Sequence, residues 1–268
     1  MAVGSVERLI ASCHKQRKRI LVIGDAMTDV YVYGYLIDCQ DGCQKFVEES
    51  REEVPGGAAN AARQLQNWDI PVGSLTSSNH SAFKTRFITD GRIVLRHDRE
   101  QPSQPLLPHS FYYATEQRPD AILISDYDKG FLPVKMLRFV IDYAVSQKIL
   151  CVADVKREPE LYRGAILKCN EAYSVAHRSN KRFTAHVCTR GPHLPLVYWK
   201  LVGVTRDVPC VNHVGAGDCF AAHLTLALAH DFSLEDAAAV AHSAGRVYVQ
   251  HPHNCPPLPE EIVADMKG

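Results

Sequence analysis

The chain has 268 residues, 46% of them hydrophobic, and its thirty basic residues are balanced by thirty acidic ones. A chain of this length buries roughly 70–75% of its unfolded surface, so one large domain, or a domain with an excursion, needs no staples. With no net charge there is no long-range field toward nucleic acid or an anionic membrane, and any anion site has to be local.

Nine scattered cysteines, an odd number without a framework, point to reduced thiols in a cytoplasmic protein rather than to disulfides. Cys39 and Cys43 stand at a metal-like spacing, but no second Cys or His pair lies close to them in sequence, and no metal ligand is assigned. The first residues carry no apolar signal core, and no run approaches the ~18 apolar residues of a membrane helix.

In chain order, VERLIASCHKQ reads as a short amphipathic helix and RILVIGD (19–25) as a buried strand ending on Gly24 and Asp25. AMTDVYVYGYLI alternates and is β-rich; after the CQDGCQ turn, KFVEESREEV reads as an exposed strand. PGGAANAARQLQNW (55–68) is a glycine turn feeding a helix, and PVGSLTS is a second buried strand. FKTRFITDGRIVLRHD (83–98) is the clearest hairpin, because two alternating runs meet at Asp90-Gly91. That dipeptide suits a type I′ turn, in which both central residues have positive φ. Residues 99–108 read as a proline-rich loop.

Strands and helices then alternate: AILISD (121–126), PVKMLRFVIDYAVSQ (133–147), ILCVADV (149–155), AILKCN (165–170), HVCTRG (186–191) and LPLVYW (194–199). Two helices, from GDCFAAHLTLALAH and SLEDAAAVAHSAGRVYVQ, close the chain. This alternation implies an α/β fold with a mostly parallel sheet and helices on both faces. The β-only segments 30–54 and 83–98 stand outside it and read as a small β-sheet lid, with 1–29, 55–82 and 99–268 as the core.

Two glycine motifs carry candidate chemistry. In VGAGDCF, Gly215 and Gly217 leave room for backbone N–H groups to close on an anion, and the following helix adds its positive end. Phosphate would be held there without any basic side chain. Asp218 at the helix start either accepts a proton from an attacking hydroxyl or is an ordinary N-terminal cap. In GGAAN, Gly56-Gly57 permits close backbone approach and Asn60 offers a donor and an acceptor to hydroxyls; the alternative is a helix start with small packing residues. The histidines, including the HPHNC cluster at 251–255, read as surface features.

RILVIGDAMTDVYVYG, PGGAANAARQL, FKTRFITDGRIVLRHDRE, SDYDKGFL, CTRG and VGAGD come in the order found in the ribokinase-like (PfkB) sugar kinases, which the chain resembles over nearly its whole length. More narrowly, the opening GD-x-M-x-D-x-Y-x-Y-G and the KTRF…DG…VLR-x-D hairpin resemble the bacterial kinases of D-glycero-D-manno-heptose 7-phosphate, the kinase half of ADP-heptose synthesis. The resemblance implies a Rossmann-like core and a β lid that closes on the sugar and forms a homodimer. It implies ATP, Mg²⁺ and a sugar phosphate as the small-molecule partners, with neither nucleic acid nor membrane. Carried over position by position, Asp218 is the catalytic base and Gly215, Ala216 and Gly217 the anion hole. Asp25, Asp29, Gly57 and Asn60 are sugar contacts, and Lys84 and Arg86 stand near the substrate's own phosphate. Asp126 and Lys129 line the cleft, and Asn170, Thr189, Arg190 and Gly191 lie on the nucleotide side.

The chain departs from that pattern in three ways. Asn212 stands where the family writes an acid, and Tyr173 stands where a glutamate follows Asn170 by three residues, with Glu171 as the nearest acid. The core is also shorter, before the lid hairpin and between Asn170 and Cys188. The expected activity is transfer of the γ-phosphate of ATP to an anomeric hydroxyl. The alternative is a weakened or non-catalytic relative that binds sugar or nucleotide.

Overall fold

The computed structural model describes residues 3–39, 42–78, 82–172, 186–198 and 200–268. Tyr173 lies outside the described residues.

β1 (Ile20–Gly24) is buried along its whole length and is the second strand from one edge of a sheet that has eight strands among the described residues. Its neighbours are β4 (Val72–Thr76) on one side and β7 (Ala121–Ser125) on the other, both parallel to it. β8 (Leu150–Asp154), β9 (Ile166–Asn170) and β10 (His186–Arg190) extend the parallel run. β11 (His193–Val197) and β12 (Lys200–Leu201) finish the sheet antiparallel.

The period of two along a strand decides which core each side chain joins. Ile20 and Val22 pack with Val6 and Leu9 of α1 (Val3–Gln16), Ala61 of α2 (Ala58–Arg63) and the helices near the chain's end. Those are α5 (Ala216–Ala229), α6 (Leu234–Tyr248) and α7 (Pro259–Lys267). Leu21 and Ile23 point the other way, into Phe111 of α3 (Pro108–Thr115) and Leu137 and Ile141 of α4 (Val134–Gln147). Among the described residues no helix is long and apolar enough to cross a membrane.

The remaining strands form a second sheet in the order β3-β2-β5-β6: β2 (Ala26–Asp38), β3 (Gln44–Gly57), β5 (Ala82–Thr89) and β6 (Arg92–Glu100). β2 leaves the core one residue after β1, and β3 returns directly into α2. This sheet reaches beyond 30–54 and 83–98, because 26–28 pair with 55–57, Asp29 pairs with Val54 and Ala82 pairs with Glu100. The hairpin turn has φ of 48° at Asp90 and 72° at Gly91, as its dipeptide implies.

Two helices were not anticipated. The proline-rich stretch ends in α3, where Pro108 at the first turn has a φ suited to starting a helix and no N–H to lose. A third terminal helix, α7, follows the two read from the sequence and begins the same way at Pro259. The HPHNC segment is only in part a surface feature, with Pro252 and Cys255 exposed. Asn254 is fully buried, and His253 packs against Tyr31 and Tyr33 of β2. His223, His230 and His242 are buried as well.

Candidate active site

In an open parallel sheet, ligands bind beyond the carboxyl ends of the strands, where the order of connection reverses. Here that point lies between β1 and β7. Asp25, the first residue past β1, is fully buried and bridges the gap. Its Oδ2 accepts the N–H groups of Tyr127 (2.9 Å) and Lys129 (3.3 Å), and its Oδ1 that of Phe131 (3.2 Å). Burial raises its pKa and these amides work against that rise. Asp25 therefore shapes the loop after β7.

That loop presents Tyr127 to Asp218. The Tyr127 hydroxyl donates to Asp218 Oδ1 at 2.6 Å, and Asn60 Nδ2 donates to Oδ2 at 3.0 Å. Gln64 Nε2 donates to Asn60 Oδ1 at 2.8 Å, which turns the Asn60 amine toward the carboxylate. Asp218 lies in the first turn of α5 and is buried. Burial is the main cause that lifts its pKa to about 6, against the opposing pull of the two hydrogen bonds.

The turn ahead of α5 depends on glycine. Gly215 has φ of 83°, and a Cβ there would lie 2.4 Å from the Tyr248 hydroxyl and 2.5 Å from Asn60 Nδ2. At the start of α2, Gly57 has φ of 58° and a Cβ would meet the carbonyl of Asp25 at 2.4 Å. The two glycine motifs thus let α2 and α5 bring Asn60 and Asp218 together.

A cavity of about 670 Å³ opens beside this turn, lined by Ala216 and Gly217 and by Asn170, Thr189, Arg190 and Gly191 at the ends of β9 and β10. Phe220 and Val249 add apolar wall. Glu171 accepts from Arg190 Nε at 3.1 Å.

The other expected site residues are placed differently from one another. Arg86 is buried and pairs with Asp29 at 2.7 Å. Asp29 Oδ2 also accepts from Asn254 Nδ2 at 3.2 Å. Asp126 is held by Arg157 and by the hydroxyl of Tyr162, at 2.7 Å. The Lys129 ammonium pairs with Glu100 at 2.6 Å. Lys84 instead reaches the cleft, with its ammonium 5.2 Å from the centre of the Tyr127 ring. Burial pulls the Lys84 pKa down.

Three charged residues here were not singled out from the sequence. Asp154 at the end of β8 is buried, with Lys168 Nζ 3.1 Å from Oδ2 and Lys156 Nζ 3.5 Å from Oδ1. Neither approach is aligned as a hydrogen bond, and both oxygens are buried without one. The Lys156 ammonium also lies 5.2 Å from the centre of the Tyr127 ring. The glycine turn therefore has a basic neighbour, because a Cβ on Gly217 would sit 3.0 Å from Lys168 Nζ. The available signals were a lone lysine inside an otherwise apolar strand, AILKCN, and an aspartate and lysine two apart at the end of ILCVADV.

A mostly parallel α/β sheet, a separate four-stranded sheet and a glycine turn feeding the buried Asp218 make up this architecture. Residues 200–261 match the pfkB family carbohydrate kinase profile. Among curated relatives it is similar to the bifunctional protein HldE of Hyphomonas neptunium, at 28% identity over 92% of this chain and 63% of that one. The HldE protein of Geobacter metallireducens is also 28% identical, over 98% of this chain and 65% of that one. The chain thus spans less than two thirds of the length of these relatives.

Solved structures show the same fold. Phosphofructokinase-2 from Escherichia coli, in complex with substrates and products, superposes with a TM-score of 0.70 at 17% identity over 94% of this chain and all of that one. Ribokinase from Arabidopsis thaliana, complexed with ribose and ATP, does so with 0.66 at 13% over 94% and 99%.

Proposed function

We propose that the chain is an ATP-dependent sugar-phosphate kinase acting on the anomeric hydroxyl of a heptose 7-phosphate or a similar sugar phosphate. The observation that carries this reading is Asp218. It is a buried carboxylate at the start of α5, oriented by Asn60 and Tyr127, beside a glycine turn that opens on a cavity. The HldE relatives and the resemblance of the opening strand and the lid hairpin support a heptose phosphate as the acceptor.

Phosphoryl transfer asks a protein mainly for positioning and charge stabilisation. Asp218 takes the proton of the sugar hydroxyl, whose oxygen attacks the γ-phosphorus in line. The amides of 215–217 and the positive end of α5 face the charge that develops on the phosphoryl oxygens. The apolar wall of Phe220 and Val249 suits a nucleoside, with Asn170, Thr189, Arg190 and Gly191 on the nucleotide side. Lys84, with no carboxylate within ion-pair distance among the described residues, suits the acceptor's own phosphate. Arg86 acts on the sugar only through Asp29. The lid covers the reacting atoms and excludes water.

Mg²⁺ usually binds through one or two carboxylates together with substrate phosphates. Among the described residues no group of three or more His, Cys, Asp or Glu side chains is disposed to hold a metal unaided. Asp154 does not offer such an ion an open carboxylate, because the Lys168 and Lys156 ammonium groups stand against its two oxygens. When bound, the ion would neutralise phosphate charge. The protein is further read as a cytoplasmic homodimer joined through the lid.

The test is ADP release from ATP and Mg²⁺ over a panel of sugars and sugar phosphates. Turnover with heptose 7-phosphate, and little with unphosphorylated sugars, is expected. Nucleotide binding without turnover for any acceptor would instead make the chain a binding relative of the family.

A further inference from the structure

The geometry points to Lys168 as a catalytic cation whose ammonium contacts the phosphoryl group being transferred, with Asp154 as the positioning residue that holds it over the anion turn. This rests on the kinase reading, which by itself assigns no side-chain charge to the turn.

The placement begins with register. On β9, Leu167 and Cys169 point into the core that contains α4, so Lys168 and Asn170 face the opposite side, toward α5. Lysine is almost never fully buried unless paired, and Lys168 is only 3% exposed. Its partner is Asp154, at 3.1 Å, which it shares with Lys156. An ammonium has three donors and no acceptor. Among the described residues Asp154 is the one carboxylate within ion-pair distance, and that contact is not aligned as a hydrogen bond.

The head of the side chain is packed where a Cβ of Gly217 would otherwise be, 3.0 Å away. Glycine at 217 therefore does more than free an amide, because it leaves the space the ammonium occupies. Any phosphate seated on the 215–217 amides meets that ammonium directly. Opposite charge in a water-poor site is worth far more than on the surface.

A purely structural lysine, present only to neutralise Asp154, would not distinguish ATP from ADP, and an arginine would serve it as well. A γ-phosphate contact predicts otherwise. Calorimetry of wild type with a non-hydrolysable ATP analogue and with ADP is expected to show a preference for the triphosphate. Lys168→Met is expected to lose about ten- to a hundredfold of affinity for the analogue, the usual worth of a hydrogen bond to a charged group, while its ADP affinity stays unchanged. Its kcat is expected to fall on the order of 10²–10³-fold with KM for the acceptor unchanged, as when one donor to a transition-state charge is lost.

Lys168→Arg covers the case in which the methionine variant does not fold. It keeps a charge for Asp154 but presents a broad planar head to a space that fits a compact one, so the triphosphate preference is expected to weaken in a protein of normal melting temperature. A preference unchanged in either folded variant overturns the assignment, as does full kcat in Lys168→Arg. If wild type turns over no acceptor yet its triphosphate preference vanishes in Lys168→Met, the kinase reading falls and the phosphate contact stands. If wild type turns over and both variants match it, the contact falls and the kinase reading stands. A wild type that binds neither nucleotide overturns both.

Discussion

Asp218 shares its two oxygens between a phenol and an amide, and that division sets its ionisation. Burial holds the carboxyl up at about 6, while the bonds from Tyr127 and Asn60 favour the charged form and pull it down. Asp154 pushes it up further and Lys168 pulls it down. A base works only when ionised, so kcat should be high above about 6 and fall as the pH drops through that value. Tyr127→Phe removes a bond to the charged form, so the acid limb should move to higher pH, with activity lost near neutrality and recovered in alkali. A kcat–pH profile that stays in place would show that the phenol does not govern the base. Asp218→Asn should lower kcat on the order of 10²–10⁴-fold, the usual contribution of general base catalysis, with nucleotide affinity intact by calorimetry.

At Asn212 the structure changes what the sequence suggests. Read as a lost acid, this position invites Asn212→Asp as a repair. Its amide, however, already has work. Oδ1 accepts from Val214 N at 3.0 Å, and Nδ2 lies 3.4 Å from both the Tyr31 hydroxyl and Asn254 Oδ1. A carboxylate would set an acceptor against the Asn254 acceptor, at a cost of about 1–3 kcal/mol if left unsatisfied. Thermal unfolding should therefore show Asn212→Asp melting below wild type, and an unchanged or raised melting temperature would return the position to the lost-ligand reading.

Among the elements, the lid hairpin shows where strand periodicity stops being informative. Lys84 and Arg86 are two apart on β5 and share a face, so the sequence treats them alike. Their neighbours separate them. Arg86 forms a buried pair with Asp29 across the lid, whereas Lys84 has the ring of Tyr127 beside it. Arg86→Ala should destabilise the protein by about 3–5 kcal/mol, because it leaves the Asp29 charge buried without its cation, and KM should rise for ATP and acceptor together. Lys84→Ala should leave the melting temperature alone and raise KM for a phosphorylated acceptor selectively. Steady-state kinetics with both substrates separates the two; a selective effect from Arg86→Ala would mean that the pair opens to bind the sugar phosphate. Helices α3 and α7 were missed for a related reason. Each is short, begins at a proline, and owes its helical state to packing, with Phe111 buried in one core and Ile262 in the other.

At the scale of the whole molecule, the lid is unfinished. β6 is the outer strand of its sheet and is exposed throughout, with Ile93, Val94 and Leu95 among the large apolar residues left in contact with water. Proteins seldom leave such an edge uncovered, which favours a second copy of the chain over it. Sedimentation should give a dimer for wild type and a monomer of normal melting temperature for Leu95→Arg; a monomeric wild type would remove the dimer.

The sequence by itself determined the layers and the glycine turns. Alternation and helical periodicity are local properties, and a buried strand or an amphipathic helix writes them into a few consecutive residues. The Asp90-Gly91 turn is equally local, since its positive φ values are a demand on two residues alone. The convergence of Asn60 and Asp218 was legible only through motif resemblance, because 158 positions separate them. What only the tertiary structure decided is how the charges are shared. Asp25 is spent on the loop of Tyr127, Arg86 on Asp29, and Asp126 on Arg157. Lys168 is left beside Gly217. Each assignment pairs residues from different strands, and burial makes the pairing compulsory while the one-dimensional order of the chain says nothing about which partners will meet.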